Sequence, residues 1–296
     1  MANVITKGNN LPTQIVEEMF NAVRGESALA KLAPQRPIPF NGTTEMVFSL
    51  DHEISIVGEN QPKVNGGGAA TPVVVRPYKF EYGLRVSDEF IYGTDEYRMD
   101  TLRAFADGAA RKAARGLDIA ALHGLNPFDL TASNVIGDNN FEAKVTNAVT
   151  YAAATADANI SAAVAMVEAA GVMADGVAMS TTMKGAISQL TANGAPKYPE
   201  FNWGSAPANL GEMRLAVNPT VAMKSATAQT TLHGLVGDFS AFRWGYAKEI
   251  PVEVIEYGDP DNTGSDLKGH NQVYLRAEFY IGWGILAPAF FAKIAA

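Results

Sequence analysis

Two stretches of this chain alternate between apolar and polar side chains: residues 45–56 read EMVFSLDHEISI, and residues 78–87 read YKFEYGLRVS. Period-two alternation is typical of a β-strand with one apolar face. The segment between them contains Gly66, Gly67 and Gly68 and reads as a flexible turn, so these glycines are the candidate loop hinge. The two stretches predict a long two-stranded ribbon, about 40 Å for twelve residues at roughly 3.3 Å each.

One face of the predicted ribbon carries large apolar side chains, which form the candidate subunit interface. They are Met46, Phe48, Leu50, Ile54, Ile56, Tyr78, Phe80, Tyr82, Leu84 and Val86. Burial of each is worth roughly 1.5–3 kcal/mol, and an isolated hairpin is marginal in water, so this face needs a cover. The ribbon packs either on its own domain or on a neighbouring subunit. The glycine-rich tip favours the neighbour, because mobile tips are seldom part of a core.

A long helix is predicted after the ribbon. Apolar side chains recur at steps of three and four between residues 97 and 121, which marks one helical face. Ser87 or Thr94 can cap its start, and Gly124 with a following proline ends it. Basic residues and the four aspartates of the helix, including Asp118, are interpreted as its charged complement. Roughly thirty residues at 1.5 Å each make a rod of about 45 Å.

The remaining chain reads as an α/β unit with a terminal arm. The first 37 residues combine an amphipathic helix around 15–23 with a proline-rich extended arm. The other predicted elements are helices at 160–174 and from the Ser180 cap to about 193, and strands at 213–217, 232–236, 252–257 and 273–281. Helices and strands in these separate blocks predict an α+β fold.

Composition excludes several classes of function. The 296 residues carry a formal net charge of -8, which argues against a basic reader of nucleic-acid sequence. With 0 cysteines, the chain forms no disulfide and has no thiolate nucleophile or metal ligand. Its longest apolar stretch, residues 281–296, is broken by two glycines and a proline, so no membrane span or membrane partner is predicted. The first ten residues lack the pattern of a signal peptide.

No constellation of residues predicts catalysis. The histidines are far apart in sequence and match no metal-binding spacing: His52, His123, His233 and His270. Asp259 and Asp261 imitate the first half of a calcium loop, but the twelfth position is His270 instead of glutamate. We interpret this loop as a solvated turn between strands. The chain is therefore predicted not to be an enzyme, and to hold neither a metal nor a cofactor.

The order of features along the chain carries a family resemblance. The motifs are SDEF at 87–90, GDFS at 237–240, NQVYLRAE at 271–278 and APAFF at 287–291. With a polar arm, a long hairpin and a spine-like helix before them, they resemble the major capsid proteins of tailed bacteriophages. That family has the Johnson fold, which it shares with encapsulins and the herpesvirus shell floor. The resemblance covers the chain from about residue 11 to its end.

The resemblance implies a division of the chain into four parts. They are an N-terminal arm at 1–37, an extended loop at 38–87, a peripheral domain with the spine helix at 88–128 and 250–280, and an axial domain at 129–249 and 281–296. Such subunits form hexamers and pentamers that close an icosahedral or prolate shell around phage DNA. The extended loop then lies on the neighbouring subunit. The alternative is an encapsulin-type nanocompartment that holds enzyme cargo.

The resemblance also implies partners and a location. The implied partners are other copies of the chain, a portal protein and a decoration protein. Because only a short arm precedes the extended loop, a separate scaffolding protein is expected, unless the chain is already a processed product. The shell is expected to enclose double-stranded DNA without sequence-specific binding. An acidic subunit binds DNA weakly, because like charges repel. The protein is expected in the virion, after assembly in the cytoplasm of the host bacterium.

Some members of the family join their subunits by an isopeptide bond between lysine and asparagine, with a glutamate as proton acceptor. Asn271 and Glu278 match that pattern by spacing, and Lys63 is the lysine near the loop tip. A neutral amine would attack the carboxamide while the carboxylate takes its proton. The same two residues also occur in members without crosslinks, where they have structural roles, and that interpretation is favoured here.

Overall fold

A computed structural model describes residues 26–51, 53–63, 65–223, 232–248 and 252–296. The amphipathic helix predicted around 15–23 and the side chain of His52 lie outside the described residues. The α-helices in the described part are Ala28–Leu32 (α1), Glu89–Tyr92 (α2), Asp95–His123 (α3), Phe141–Lys144 (α4), Ala156–Ala169 (α5) and Thr181–Ser188 (α6).

The strands supply most of the framework. They are Thr43–Leu50 (β1), Gly68–Ser87 (β2), Ala148–Thr150 (β3), Gly176–Met179 (β4), Thr191–Ala192 (β5), Ala195–Pro196 (β6), Asn209–Leu210 (β7), Met213–Val217 (β8), Leu232–Gly237 (β9), Phe242–Lys248 (β10), Val252–Ile255 (β11), Gln272–Ile285 (β12) and Phe291–Ala295 (β13). The predicted α+β class is confirmed.

A five-stranded antiparallel sheet carries the hairpin. Its order is β1-β2-β12-β10, and β11 pairs with the first half of β12 on the same side as β10. Strand β12 is buried along most of its length, because β2 covers one edge, β10 and β11 cover the other, and side chains pack on its faces. The sequence division at 249/250 and 280/281 runs through this sheet, since β10 and the end of β12 both belong to it.

The second sheet has six strands in the order β3-β13-β9-β4-β8-β7. Strands β4 and β8 are parallel, as are β13 and β3, and the other pairs are antiparallel. Helices α5 and α6 cover one face, where Ile160, Val167 and Met183 join the buried cluster of this sheet. The last strand of the chain thus lies inside the sheet, beside β9.

Helix α3 is the predicted spine helix. Thr94 accepts a hydrogen bond from the Tyr97 amide at its start, and Gly124 ends it with a φ of 69°. Of the two predicted caps, Thr94 begins the helix and Ser87 does not, and the predicted end at Gly124 is confirmed. An added Cβ at Gly124 would meet the Asn140 side chain, so glycine is required by space as well as by conformation. The alanine-rich second half is buried, whereas the first turns of α3 are largely exposed.

Two helix boundaries differ from prediction. Helix α5 begins at Ala156 and ends at Ala169, five residues before the predicted end. Gly171, with a φ of 84°, takes the left-handed conformation that turns the chain away. Helix α6 ends at Ser188 instead of residue 193, because the following residues pair as the short β5–β6 hairpin.

The predicted ribbon is wrong in its pairing. Strand β1 ends at Leu50, and its partners are residues 68–75 of β2. The alternating stretch 78–87 pairs instead with β12. The strand that does pair with β1 reads GAATPVVV, which lacks alternation and contains a proline and a glycine that favour a turn. Alternation identifies a strand with two unlike faces, but it carries no information about which distant strand pairs with it.

Candidate assembly surface

The projecting hairpin, residues 43–75, exposes its apolar side chains. On β1 the even-numbered residues face solvent, and Phe48 and Leu50 are 73% and 79% exposed. Beyond the strand, Ile54 and Ile56 of the tip loop are almost fully exposed. Met46 is also exposed. Five of the predicted interface residues therefore form a contiguous stretch of apolar side chains that the subunit itself does not cover.

Three of the other predicted interface residues are covered by their own subunit. Tyr78, Phe80 and Val86 pack against the main buried core. The ring of Tyr78 lies 4.4 Å from the ring of Trp283, measured between centroids. The expectation that all ten residues share one exposed ribbon face is wrong for these three, because β2 joins β12 at this point. Tyr82 remains partly exposed.

Leu84 is the last of the ten and is 47% exposed, on the body half of β2. It lies directly opposite Leu275 of β12 in the sheet register. The exposed set thus comprises the whole β1 and tip group together with the two positions 82 and 84. The interface role of this set stays a prediction.

The predicted hinge glycines lie at the base of the tip loop. The Gly67 amide donates to the Asp51 carboxylate at 2.8 Å, and the Asp51 amide donates to the Gly67 carbonyl at 3.1 Å. Gly68 pairs with Leu50 as the first residue of β2. An added Cβ at Gly67 would overlap the Asp51 carboxylate. Whether Gly66, Gly67 and Gly68 act as a hinge stays a prediction.

The root of the hairpin is fixed to the body. Glu45 forms an ion pair with Arg243 of β10, and the ring centroids of Phe40 and Tyr280 are 5.2 Å apart. Gly42 packs so closely against the Val75 carbonyl that no side chain fits there. The hairpin is therefore anchored at one end and uncovered beyond it.

A groove lies between the spine helix and the body half of β2. Its volume is about 360 Å³. Phe80 and Tyr82 line one wall, Ala113 and Gly116 line the other, and the loop after the helix closes the end with Phe128, which is 95% exposed. Charged residues of the lining are Glu81, Lys112 and Arg115. The small residues of the helix create this space, because larger side chains would fill it.

An arginine occupies the centre of the loop that resembles a calcium site. The Arg85 guanidinium donates to Asp259 at 2.7 Å and to both carboxylate oxygens of Asp261, at 2.5 and 2.8 Å. It also donates to the Thr263 hydroxyl and to the Ser265 carbonyl. The hydrogen bond from Arg85 lowers the pKa of Asp261 to about 2. The loop is a turn tied to β2, and its oxygens already surround a positive charge.

Within the described residues, no group of three or more His, Cys, Asp or Glu side chains is arranged to hold a metal ion. His123 is buried at the end of the spine helix. Its ring nitrogens contact the Glu142 carboxylate at 3.0 Å and the Thr220 carbonyl at 2.9 Å. His233 stacks on Tyr151, with ring centroids 4.0 Å apart.

The three residues of the possible crosslink do not meet within one subunit. Asn271 precedes β12 and Glu278 lies seven residues later, about 23 Å along an extended strand. Lys63 lies in the tip loop. Glu278 instead pairs with Lys79 across the sheet at 2.7 Å, and this pairing lowers the pKa of Glu278. The ion pair between Lys79 and Glu278 was not predicted from sequence, because only the strand register brings Lys79 opposite β12.

These features define a class of protein: a subunit with a body that folds on itself and a projecting hairpin that exposes an apolar face. No helix in the described ranges is long and apolar enough to cross a bilayer. The family model described as the Phage capsid family matches residues 7–296, and the chain belongs to that family.

Solved structures agree with this assignment. One from Mycobacterium phage Ogopogo is 28% identical, covers 91% of this chain and 92% of its own, and has a TM-score of 0.78. Another from Gordonia phage Cozz is 25% identical, covers 91% and 86%, and has a TM-score of 0.74. A capsid chain of a native GTA particle, 14% identical over 91% and 90% with a TM-score of 0.61, shares the fold. The search of curated proteins finds no match.

The chain is a major capsid protein with the Johnson fold, and copies of it build a virion shell. The comparisons give no support to the encapsulin alternative. The family and the structural neighbours are structural proteins of capsids.

Proposed function

We propose that this capsid protein forms hexamers and pentamers in which each hairpin lies on the adjacent subunit. The observation that carries the proposal is the uncovered apolar face of residues 46–56. Its five large side chains would each gain roughly 1.5–3 kcal/mol on burial. A subunit that leaves this much apolar surface in water has a strong drive to associate.

We propose the groove beside the spine helix as the place where the neighbour's hairpin tip docks. The groove offers an apolar floor for Ile54 and Ile56. Charge also fits: residues 51–67 contain three acidic residues and one lysine, while Lys112 and Arg115 lie in the groove lining. Complementary charge sets the register of such a contact more than its strength.

The test is assembly of purified protein in which Phe48 and Leu50 are both changed to serine. We expect the subunit to keep its circular dichroism spectrum and its unfolding midpoint, because both side chains are exposed in the subunit. Negative-stain microscopy and sedimentation should show loss of shells. The matched control is Ser49→Asn on the same strand, which should assemble as the unchanged protein does. Normal shells from the double variant would contradict the proposal.

A charge reversal tests the groove separately. Lys112→Glu with Arg115→Glu should weaken assembly, and the defect should grow at low ionic strength, because surface charges are screened less there. Arg103→Glu on the same helix, outside the groove lining, is the matched control. Equal assembly of the groove variant and the control would remove the groove from the proposal while leaving the role of the hairpin intact.

The domain division is proposed with altered boundaries. The five-stranded sheet and the spine helix would form the peripheral domain, and the six-stranded sheet with α5 and α6 the axial domain. The sheet pairing supports placing 242–285 in the peripheral domain as one block. Residues 1–37 remain the proposed arm, and the extended loop narrows to residues 43–75.

The contents and further partners of the shell are proposed on the family resemblance. The shell would enclose double-stranded DNA without reading its sequence, and the net charge of -8 supports weak contact with it. Scaffolding, portal and decoration proteins are the proposed partners, with assembly in the host bacterial cytoplasm. Nuclease-resistant DNA inside purified virions, with this chain as their most abundant protein, is the expected result.

A further inference from the structure

A short segment ties the N-terminal part of the chain to the hairpin. This arm root, residues 26–38, contains α1 and runs across the molecule to β10. The Trp244 indole donates to the Ala33 carbonyl at 2.9 Å, and the Arg36 amide donates to the Trp244 carbonyl at 2.9 Å. Five residues later β1 begins. The arm root and the root of the hairpin are therefore tied to the same strand, since Glu45 also pairs with Arg243 of β10.

The start of the arm root is hydrogen-bonded to a buried carboxylate, Asp118 of the spine helix. One oxygen accepts from the Ser27 hydroxyl at 2.5 Å and from the Leu29 amide at 3.1 Å. The other accepts from the Ala28 amide at 2.8 Å and from the Thr220 hydroxyl at 2.7 Å. The side chain is wholly buried. Asp118 thus joins the arm root, the spine helix and the turn that precedes β9.

The prediction that Asp118 belongs to the charged complement of the spine helix is wrong, because its side chain is buried. No ion pair among the described residues includes it, so its charge is balanced by hydrogen-bond donors alone. Burial raises the pKa of Asp118, while the four donors favour its charged form. Burial of an aspartate in this environment has a large desolvation free energy, because a buried carboxylate without a cation is among the least favourable groups in a protein.

We propose that Asp118 is the positioning residue for shell assembly: it docks the arm root on the spine helix, and this docking sets the direction of the hairpin. The proposal rests on the proposed role of the hairpin in assembly. The arm root packs Leu29 and Leu32 into the main buried core, but the rest of that core and the whole core of the six-stranded sheet come from other segments. Loss of the carboxylate should therefore release the arm root locally while the body stays folded.

The test is Asp118→Asn in the full chain, with Asp100→Asn at an exposed position of the same helix as the control. An amide keeps the size of the side chain, but its NH₂ group would face two donors. Hydrogen exchange measured by mass spectrometry should rise at residues 26–38 by roughly 5- to 150-fold, as expected for the loss of one buried charged partner. Exchange in β12 should not change. Shell yield should fall, and the control should match the unchanged protein.

Unchanged exchange at residues 26–38 in Asp118→Asn would overturn the proposal, and so would increased exchange with a normal yield of shells. Where Asp118→Asn fails to fold, Ser27→Ala decides by the same two measurements, since it removes one donor and leaves the carboxylate in place. If the unchanged protein formed no shells, the proposed function would fail, while exchange of the arm root would still decide whether Asp118 docks it.

Discussion

Strand β2 passes through two different environments. Its first eight residues pair with β1 in a hairpin that projects from the body, and its last twelve pair with β12 in the body. In the hairpin the apolar side chains of the partner strand face solvent, whereas in the body the partner strand is almost wholly buried. One strand can therefore stabilise the subunit at one end and leave the other end for association.

Apolar side chains that alternate along a strand are therefore found in two different environments in this protein. In the body, apolar surface is buried when the chain folds. In the hairpin, the same kind of surface is exposed in the subunit, and we propose that another copy covers it. Substitutions in the two regions should therefore be distinguished by what they change, the free energy of unfolding of the subunit or the formation of shells.

The largest effect is expected from Phe279→Ala on β12. Phe279 is 1% exposed and lies opposite Phe80 in the sheet. Removal of a buried aromatic ring should lower the free energy of unfolding by about 3–5 kcal/mol. Urea unfolding followed by circular dichroism measures it. The matched variant Phe48→Ala in the hairpin should change the free energy of unfolding by no more than about 0.5 kcal/mol. Similar decreases in the free energy of unfolding for Phe279→Ala and Phe48→Ala would contradict this distinction between body and hairpin.

A smaller loss is expected from Arg85→Met, on the body half of β2. The change leaves Asp259 and Asp261 close together without the positive charge between them. The thermal unfolding midpoint should fall, and proteolysis should begin in the loop around residues 259–266. Lys79→Met on the same strand is the control, because Lys79 has a single strong partner, Glu278. A midpoint equal to that of the control would show that the cluster adds nothing to stability.

Acid should reveal the same cluster in the unchanged protein. The pKa of Asp261 lies near 2 in the folded chain, below its value of about 4 in an unfolded one. Its stabilising contribution is therefore complete above pH 4 and is lost as the pH falls from about 4 to about 2. Thermal midpoints measured through this window should fall less in Arg85→Met than in the unchanged protein. Parallel curves would contradict this assignment.

At the hairpin tip, Gly67→Ala should have a modest effect. The added methyl group would press on the Asp51 carboxylate and disturb two hydrogen bonds that close the tip loop. We expect the subunit midpoint to stay within about 2 °C, since exposed loops contribute little to global stability, while shell assembly slows. Light scattering follows the assembly rate. Gly58→Ala, where an added Cβ has room, is the control within the same loop.

No effect is expected from Lys63→Arg. Asn271 and Glu278 are far apart in one subunit, and Glu278 is already paired with Lys79, so we propose that the shells are held without covalent crosslinks. Particles boiled in detergent should give a single band at 31.4 kDa for both the unchanged and the variant protein. A ladder of higher bands that Lys63→Arg abolishes would overturn this expectation.

Local signals could be predicted well. Thr94 and Gly124 bound the spine helix where sequence placed its ends, because capping and left-handed turns depend on side chains within a few residues. Strand β8 likewise matches its predicted span at 213–217. That β1 has one apolar face also followed from alternation alone, since neighbouring side chains of a strand must point to opposite faces.

Long-range relations could not be predicted in the same way. Alternation in residues 78–87 identified a strand but not its partner β12, almost two hundred residues away. Asp118 fitted a charged helical face, and only the packing of the arm root showed that it is buried among four donors. The calcium-like spacing at Asp259 and Asp261 is a local pattern. Nothing in the sequence indicated that Arg85, from a distant strand, binds both carboxylates.

By itself, the amino-acid sequence therefore determined the limits of the spine helix, the presence of most other helices and strands, which strand faces are apolar, and the family to which the chain is similar. Only the tertiary structure decided which apolar side chains are covered within the subunit and which remain exposed. The physical reason is that propensity and periodicity act over a few residues, whereas burial depends on which distant segments pack together.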